Sequence, residues 1–361
     1  MRRKLLATTV AAAAISLVLA GCGTGPAPEK KAGAAGKNAI KACMVSDEGG
    51  FDDKSFNQSG YEGLMKAKDE LGVKVAKAES NSDGDFDRNL DSMVKEKCDL
   101  IIGVGFKMAK QIDAKAKANP NIKFALVDSD FESHPSNARA LLFNTAEASY
   151  LAGYVAAGMS KTGKVGTFLG MKIPTTAIFA DGFADGVKKY NEDNGKNVEL
   201  LGWNKEKQDG IYTGDFSDTA KGKNNTKQLM DQGADIIMQV AGPVGAGTVS
   251  AVTEAKNGTS IVWVDADGFN TEPAGKDFFL TSVVKEIGAS VFDTVKSVQD
   301  GKFDSTPYVG DLKNGGVGIA PYHNFDSKVP ADLKKKVEEL KKKIISGEIK
   351  VESKNQPGAQ K

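Results

Sequence analysis

Short runs of almost uninterrupted apolar residues, each followed by an amphipathic helical stretch, constrain this chain more than any other feature. Residues 39–46 (AIKACMVS), 98–104 (CDLIIGV) and 123–128 (KFALVD) show little polar alternation. A strand apolar on both sides is buried on both, so these runs predict a parallel sheet covered by helices. Residues 73–78 form a further predicted strand. The stretches at 56–71, 85–97 and 107–118 carry apolar residues at helical spacing, as with Phe86, Leu90, Met93 and Val94. A strand at 138–145 then leads into a helix of small residues at 147–161.

From there the order starts again. Strands are predicted at 164–169, 198–203, 234–240 and 260–265, and helices at 175–194, 218–232 and 247–256. KCDLIIGVGF (97–106) has its counterpart in GADIIMQVAG (233–242), and KFALVDSD (123–130) in SIVWVDAD (260–267). A late segment adds a strand at 278–284, a helix at 288–299 and a glycine-rich extended stretch at 308–321. A final helix at 331–346 places Leu333, Val337, Leu340 and Ile344 on one face. The expected fold is α/β, two Rossmann-like lobes joined by crossover strands, with a ligand cleft at the C-terminal ends of the strands. The N-terminal lobe is expected from 39–145 and 285–325, and the C-terminal lobe from 146–284. Residues 326–351 should pack on the body as a helix, leaving 352–361 as a disordered tail. A length of 361 residues also exceeds what one hydrophobic core serves.

The N-terminus reads differently. Met1-Arg2-Arg3-Lys4 is cationic and residues 5–20 carry no charge, too short a run for a membrane span but suited to a secretory signal. Leu19-Ala20-Gly21-Cys22 resembles a lipobox, which makes residues 1–21 a lipoprotein signal peptide and Cys22 the lipid attachment point. Residues 22–38, rich in Gly, Ala, Pro and Lys, read as a flexible tether. The folded part is thus expected on the extracytoplasmic side of the cell membrane, anchored through acyl chains.

Charge counts 48 Lys+Arg against 47 Asp+Glu, a net +1, which gives no support to nucleic-acid binding. Removing Arg2, Arg3 and Lys4 with the signal leaves 45 basic against 47 acidic residues, a net charge of −2. The lysines at 334–336 and 341–343 suit the solvated side of the last helix, or a membrane-facing patch. Cys43 and Cys98 lie in or beside predicted strands; two buried thiols and a disulfide both remain open. No metal-ligand spacing occurs and no cofactor is implied. His134, in Ser-His-Pro-Ser, and His323, in Tyr-His-Asn, read as loop residues.

The segment from Asp47 to Ser59, DEGGFDDKSFNQS, joins carboxylates, an amide and two aromatics between the first strand and the first helix. Such a set can stack on a ring and bond its edge. It can equally cap the helix, through Asp52, Asp53 or Ser55, with Phe51 as a staple. Both uses are compatible if Asp47, Phe56 and Asn57 face the cleft.

This segment, with Gly-Val-Gly-Phe at 103–106, Asp128, Gly-Phe-Ala-Asp-Gly at 182–186 and Ala241-Gly242, resembles the basic membrane protein family. These are bacterial lipoproteins that serve as substrate-binding components of ABC transporters, purine nucleoside receptors among them. The resemblance, over about residues 39–351, implies the type I periplasmic-binding-protein fold. It implies that Phe56 stacks on a purine, that Asn57 and Asp128 meet the base, that Asp47 lines the site, and that Asp265 with Lys285 holds the ribose hydroxyls, Asp267 being the competitor of Asp265. Family members that sandwich the base place a second aromatic in the strand matching residues 236–240. Here Met238 stands there; its thioether can pack on a ring, or Phe179 or Phe183 can substitute. Gly242, in AGPVGAG (241–247), is expected to let a ligand approach the backbone. The implied partners are a nucleoside and the permease and ATPase subunits of an importer. Two other classes compete: an enzyme resembling nucleoside hydrolases, and a surface adhesin or sensor of the same fold.

Overall fold

A computed structural model of the chain describes residues 39–358. The expectations for residues 1–21, for Cys22 and the tether, and for residues 359–361 fall outside the described part. The first lobe opens with β1 (Lys41–Ser46), α1 (Phe56–Leu71), β2 (Lys74–Ala78) and α2 (Phe86–Lys95). It continues with β3 (Leu100–Val104), α3 (Ala109–Ala118), β4 (Lys123–Val127) and β5 (Ala138–Phe143). The chain then crosses through α4 (Thr145–Met159) into β6 (Lys164–Leu169), α5 (Pro174–Asn194) and β7 (Glu199–Leu201). A small hairpin, β8 (Trp203–Asn204) with β9 (Asp209–Gly210), precedes α6 (Thr219–Asp231) and β10 (Ile236–Val240). Next come α7 (Gly245–Ala255), β11 (Ser260–Asp265), the single turn α8 (Gly268–Thr271) and β12 (Phe279–Lys285). The late segment forms α9 (Ile287–Gln299), β13 (Tyr308–Gly310), β14 (Val317–Ile319) and α10 (Ala331–Ile345).

Two six-stranded sheets result, ordered β13-β5-β4-β3-β1-β2 and β14-β12-β11-β10-β6-β7. Every pairing within them is parallel except β12 with β14. Setting β13 and β14 aside, both sheets have the same order, so β4 and β11 are counterparts. Strands such as β3 and β11 are buried at every position, the state that their continuous apolar runs predict.

The late segment divides differently from the expected boundary. β13 joins the first sheet beside β5, but β14 pairs antiparallel with β12 in the second, so residues 317–319 do not belong with the N-terminal lobe. The turn at 311–316 doubles the chain back, with Gly315 at φ 73° and Asp311 and Asn314 bonding each other's backbone N–H. A returning strand meets its neighbour antiparallel. Lys285 likewise ends β12, in the second sheet.

Cys43 of β1 and Cys98, just ahead of β3, are joined in a disulfide with 6.0 Å between Cα atoms. The strands are neighbours in the sheet, so the open alternative resolves to the bridge. The tail also departs from expectation. Val351 and Ser353 are buried, and Ser353 Oγ and Asn355 Nδ2 both donate to Asp181. Residues up to 358 therefore lie along the C-terminal lobe, because a buried carboxylate there needs donors.

Candidate functional site

The strand ends bring the charged residues together. Asp47 follows β1 and Asp128 follows β4 in the first sheet; Asp265 ends β11 and Lys285 ends β12 in the second. With Phe56, Asn57 and Gly242 they line one cavity between the lobes, about 590 Å³ of empty space including its open side. That falls within the range of roughly 300–1,000 Å³ usual for small-molecule sites.

Asp128 and Asp265 occupy matching positions in KFALVD and SIVWVD, and both are left-handed, at φ 63° and 67°. Asp and Asn tolerate that region better than most residues, and it turns the chain sharply at the end of the strand. The two carboxylates converge on Lys285, whose Nζ hydrogen-bonds Asp128 Oδ2 and lies 3.4 Å from Asp265 Oδ1. Lys285 is 3% exposed. Burial alone would lower its pKa, but the carboxylates of Asp128 and Asp265 outweigh that and hold it above the ordinary lysine value. The same ammonium lies 5.2 Å from the ring centre of Phe56 and 5.0 Å from that of Phe179, within cation–π range of both.

The loop after β1 both caps and lines. Asp53 accepts from the backbone N–H groups of Ser55, Asn57 and Gln58, at 2.9–3.0 Å, and so satisfies the first turn of α1. Asp52 is exposed. Ser55 does not cap; its Oγ reaches the other lobe, 3.1 Å from both Val264 O and Asp265 Oδ2. Asn57 donates through Nδ2 to Asp47 Oδ1 at 2.9 Å, while its buried Oδ1 has no partner among the described residues. Burial pushes the Asp47 carboxyl up to about 8, against the pull of the Asn57 amide. Asp47 fits only because residue 105 is glycine: a Cβ there would fall 1.9 Å from Asp47 Oδ2, and φ is 108°.

Met238 is not part of this wall. It lies mid-strand in β10, wholly buried in the core, and the cavity begins only at Val240 and Gly242. A side chain two residues short of the strand end cannot reach the cleft. The additional rings come instead from Phe179 of α5 and from Phe216, in the loop before α6; Phe183 is buried in the core. Sequence reading missed Phe216, although a lone aromatic in the polar loop TGDFSD (213–218) was a usable signal. Asp267 is also elsewhere: it accepts from Phe269 N and lies 2.8 Å from His323 Nε2. His323, expected as a plain loop residue, thus has a carboxylate partner, and its ring stacks on Phe269 at 4.0 Å. Gly242 is left-handed at φ 52° with open space where a side chain would be. Among the described residues no group of three or more His, Cys, Asp or Glu is placed to hold a metal ion.

Such a site offers ring faces, carboxylate acceptors and one buried cation, a set suited to holding a flat, uncharged, hydrogen-bonding solute.

Comparison with known proteins agrees in length and fold. Residues 40–355 match the sequence model of the family described as ABC transporter substrate-binding protein PnrA-like. The ABC transporter nucleoside-binding protein BmpA of Lactococcus lactis is 34% identical, over 98% of this chain and 100% of that one. Basic membrane protein A of Borreliella burgdorferi is 29% identical, over 89% of this chain and 90% of its own length. Among solved structures, an ABC transporter solute-binding protein from Aeropyrum pernix superposes with a TM-score of 0.78 at 29% identity, covering 86% of this chain and 92% of that one.

Proposed function

Because the chain belongs to the PnrA-like family of ABC transporter substrate-binding proteins, we propose that it closes its two lobes on a purine nucleoside and delivers it to a membrane permease. The family is one of binding components, not of enzymes. One observation carries the choice of ligand: a single buried ammonium held between Asp128 and Asp265, beside the rings of Phe56 and Phe179. In this reading the base lies against Phe56, with Phe179 and Phe216 closing the apolar side. Asp128, Asp47 and the free Oδ1 of Asn57 accept from its N–H groups. Asp265 accepts from the ribose hydroxyls while Lys285 donates to an oxygen. Gly242 lets the sugar approach the backbone. The name of the Lactococcus relative supports a nucleoside in this place.

Calorimetric titration with adenosine, guanosine, inosine, uridine and free ribose tests the assignment. One purine nucleoside per chain should bind without turnover, and Asp128→Ala should abolish the heat. No heat and no shift in melting temperature with any nucleoside overturns it, since a ligand of the folded state must stabilise that state. Slow release of free base would instead favour a hydrolase.

Anchoring is proposed through Cys22, acylated after removal of residues 1–21, with the folded body on the extracytoplasmic side and permease and ATPase subunits as partners. Cys22→Ser should move the protein from the membrane fraction to the soluble one; retention at the membrane would refute the anchor.

A further inference from the structure

Beyond the nucleoside cavity the cleft widens into an outer chamber, about 1330 Å³ of empty space including what is open to solvent. The two spaces adjoin, sharing Phe106, Asp128, Ile173 and Thr175 in their walls. Phe143 and Ile178 give the outer chamber an apolar floor, 4% and 2% exposed. Asp130 and Glu132 stand exposed on its rim. Among the described residues no lysine or arginine lines it. The one ring there able to carry a positive charge, His134, is exposed, with Nδ1 3.6 Å from Asp130.

The far wall is the C-terminal segment, residues 355–358, and it is held in place by a built contact. Asp181 is fully buried on α5. Its Oδ1 accepts from Trp203 Nε1 at 2.9 Å and Gln208 Nε2 at 2.8 Å; its Oδ2 accepts from Asn355 Nδ2 at 3.0 Å and from Ser353 Oγ. Gln356 Nε2 donates to Val351 O at 2.6 Å. Ordering a chain end costs roughly 1–2 kcal/mol per residue, and a buried carboxylate that draws donors from the tail offsets that cost here.

Asp128 stands at the junction of the two spaces. In the proposed function it accepts from the base, so a group attached to the exocyclic amine would leave the inner cavity into the outer chamber instead of meeting packed protein. We infer that the outer chamber is a subsite for an uncharged or cationic substituent on the exocyclic amine of the nucleoside, with residues 355–358 as its far wall. This rests on the purine-nucleoside reading. Exposed Asp130 and Glu132, with no lysine or arginine opposing them among the described residues, disfavour an anionic substituent.

The intact protein is titrated with adenosine and with two derivatives carrying a benzyl or a carboxyalkyl group on that amine. The benzyl derivative should bind within about tenfold of adenosine, and the carboxylated one about tenfold or more weaker than the benzylated, the scale on which pockets discriminate. Gln356→Trp, at a half-exposed wall position, should raise the ratio of the benzyl Kd to the adenosine Kd by about tenfold. Rejection of the benzyl derivative by a wild-type protein that binds adenosine overturns the subsite alone. So does an unchanged ratio in a Gln356→Trp protein with wild-type melting temperature. Failure of adenosine itself, and of every other nucleoside, overturns the receptor reading and the subsite with it.

Discussion

Lys285 is the residue on which both lobes depend, because its ammonium compensates one buried carboxylate from each. Replacing one partner of a buried ion pair strands the others, typically at about 3–5 kcal/mol. Lys285→Met should therefore lower the melting temperature as well as abolish ligand binding, whereas a variant that loses binding at unchanged stability would mean the carboxylates are not compensated by Lys285. Phe216 is the complementary case. It lies in a loop and lines the cavity, so Phe216→Ala should leave stability nearly intact and weaken nucleoside binding by the roughly 1–3 kcal/mol of a lost base–aromatic stack. Equal affinity in calorimetry would remove it from the site. Asp47 adds a pH dependence. Its folded carboxyl, pushed up to about 8 by burial, binds a proton that the unfolded chain has already released at pH values between its ordinary value, 3.8, and 8. Stability therefore falls as pH rises through that window. Asp47→Asn should flatten the fall in melting temperature of the ligand-free protein between about pH 5 and pH 8.5; parallel curves for the two proteins would exclude Asp47 as its source. These roles were partly legible in the sequence. Asp47, Asp128 and Asp265 stand where an apolar strand run stops, and a charged residue there has only the cleft to enter. Met238 sits in a similar run but two residues earlier, and that small offset decides between core and cavity.

At the scale of elements, two glycines that help carry the family resemblance serve packing. Gly182 and Gly186, in the stretch Gly-Phe-Ala-Asp-Gly, lie one turn apart on α5 and press on α4. A Cβ on either would fall 2.2 Å from Ala146 O or 2.0 Å from Tyr150 O. From α4 the same contact is made by Gly153, whose Cβ would meet Phe183 O at 2.2 Å. Two helices can approach this closely only where no side chain intervenes. Gly186→Ala should thus cost about 1–3 kcal/mol or more through overpacking, read as a fall in the denaturation midpoint with the nucleoside affinity of the folded protein retained. A midpoint equal to wild type would mean that the helices can separate at no cost. α1 and α9 pack likewise through Gly63 and Gly288, which ties the late segment to the first lobe. Helices were readable from their apolar period and strands from short, continuous apolar runs. The packing glycines were not, since a small residue on a helix looks the same whether it faces solvent, a ligand or another backbone.

For the whole molecule, the lobes are joined directly as well as through Lys285. Ser55 Oγ reaches Val264 O and Asp265, Thr271 Oγ1 donates to Lys54 O at 2.7 Å, and a Cβ on Gly49 would meet Pro243 across the cleft at 3.1 Å. This is a closed arrangement. Ser55→Ala combined with Thr271→Val removes bonds worth about 1 kcal/mol each, so nucleoside dissociation in stopped flow should accelerate by up to about thirtyfold while the ligand-free protein scatters X-rays as a more open particle. An unchanged dissociation rate would show that the latches do not hold the cleft. The α/β class, the doubling of the unit and the strand ends that meet at the cleft were all legible in the order of residues. Apolar patterning is a local property, and a strand buried on both faces shows it as a short continuous run. Folding in three dimensions was needed to return β14 to the second sheet, to bond Cys43 with Cys98, to line the cavity with Phe216 and not Met238, and to set the tail as the wall of an outer chamber. Each of those depends on residues far apart in the chain meeting in space, and no local pattern encodes such a meeting.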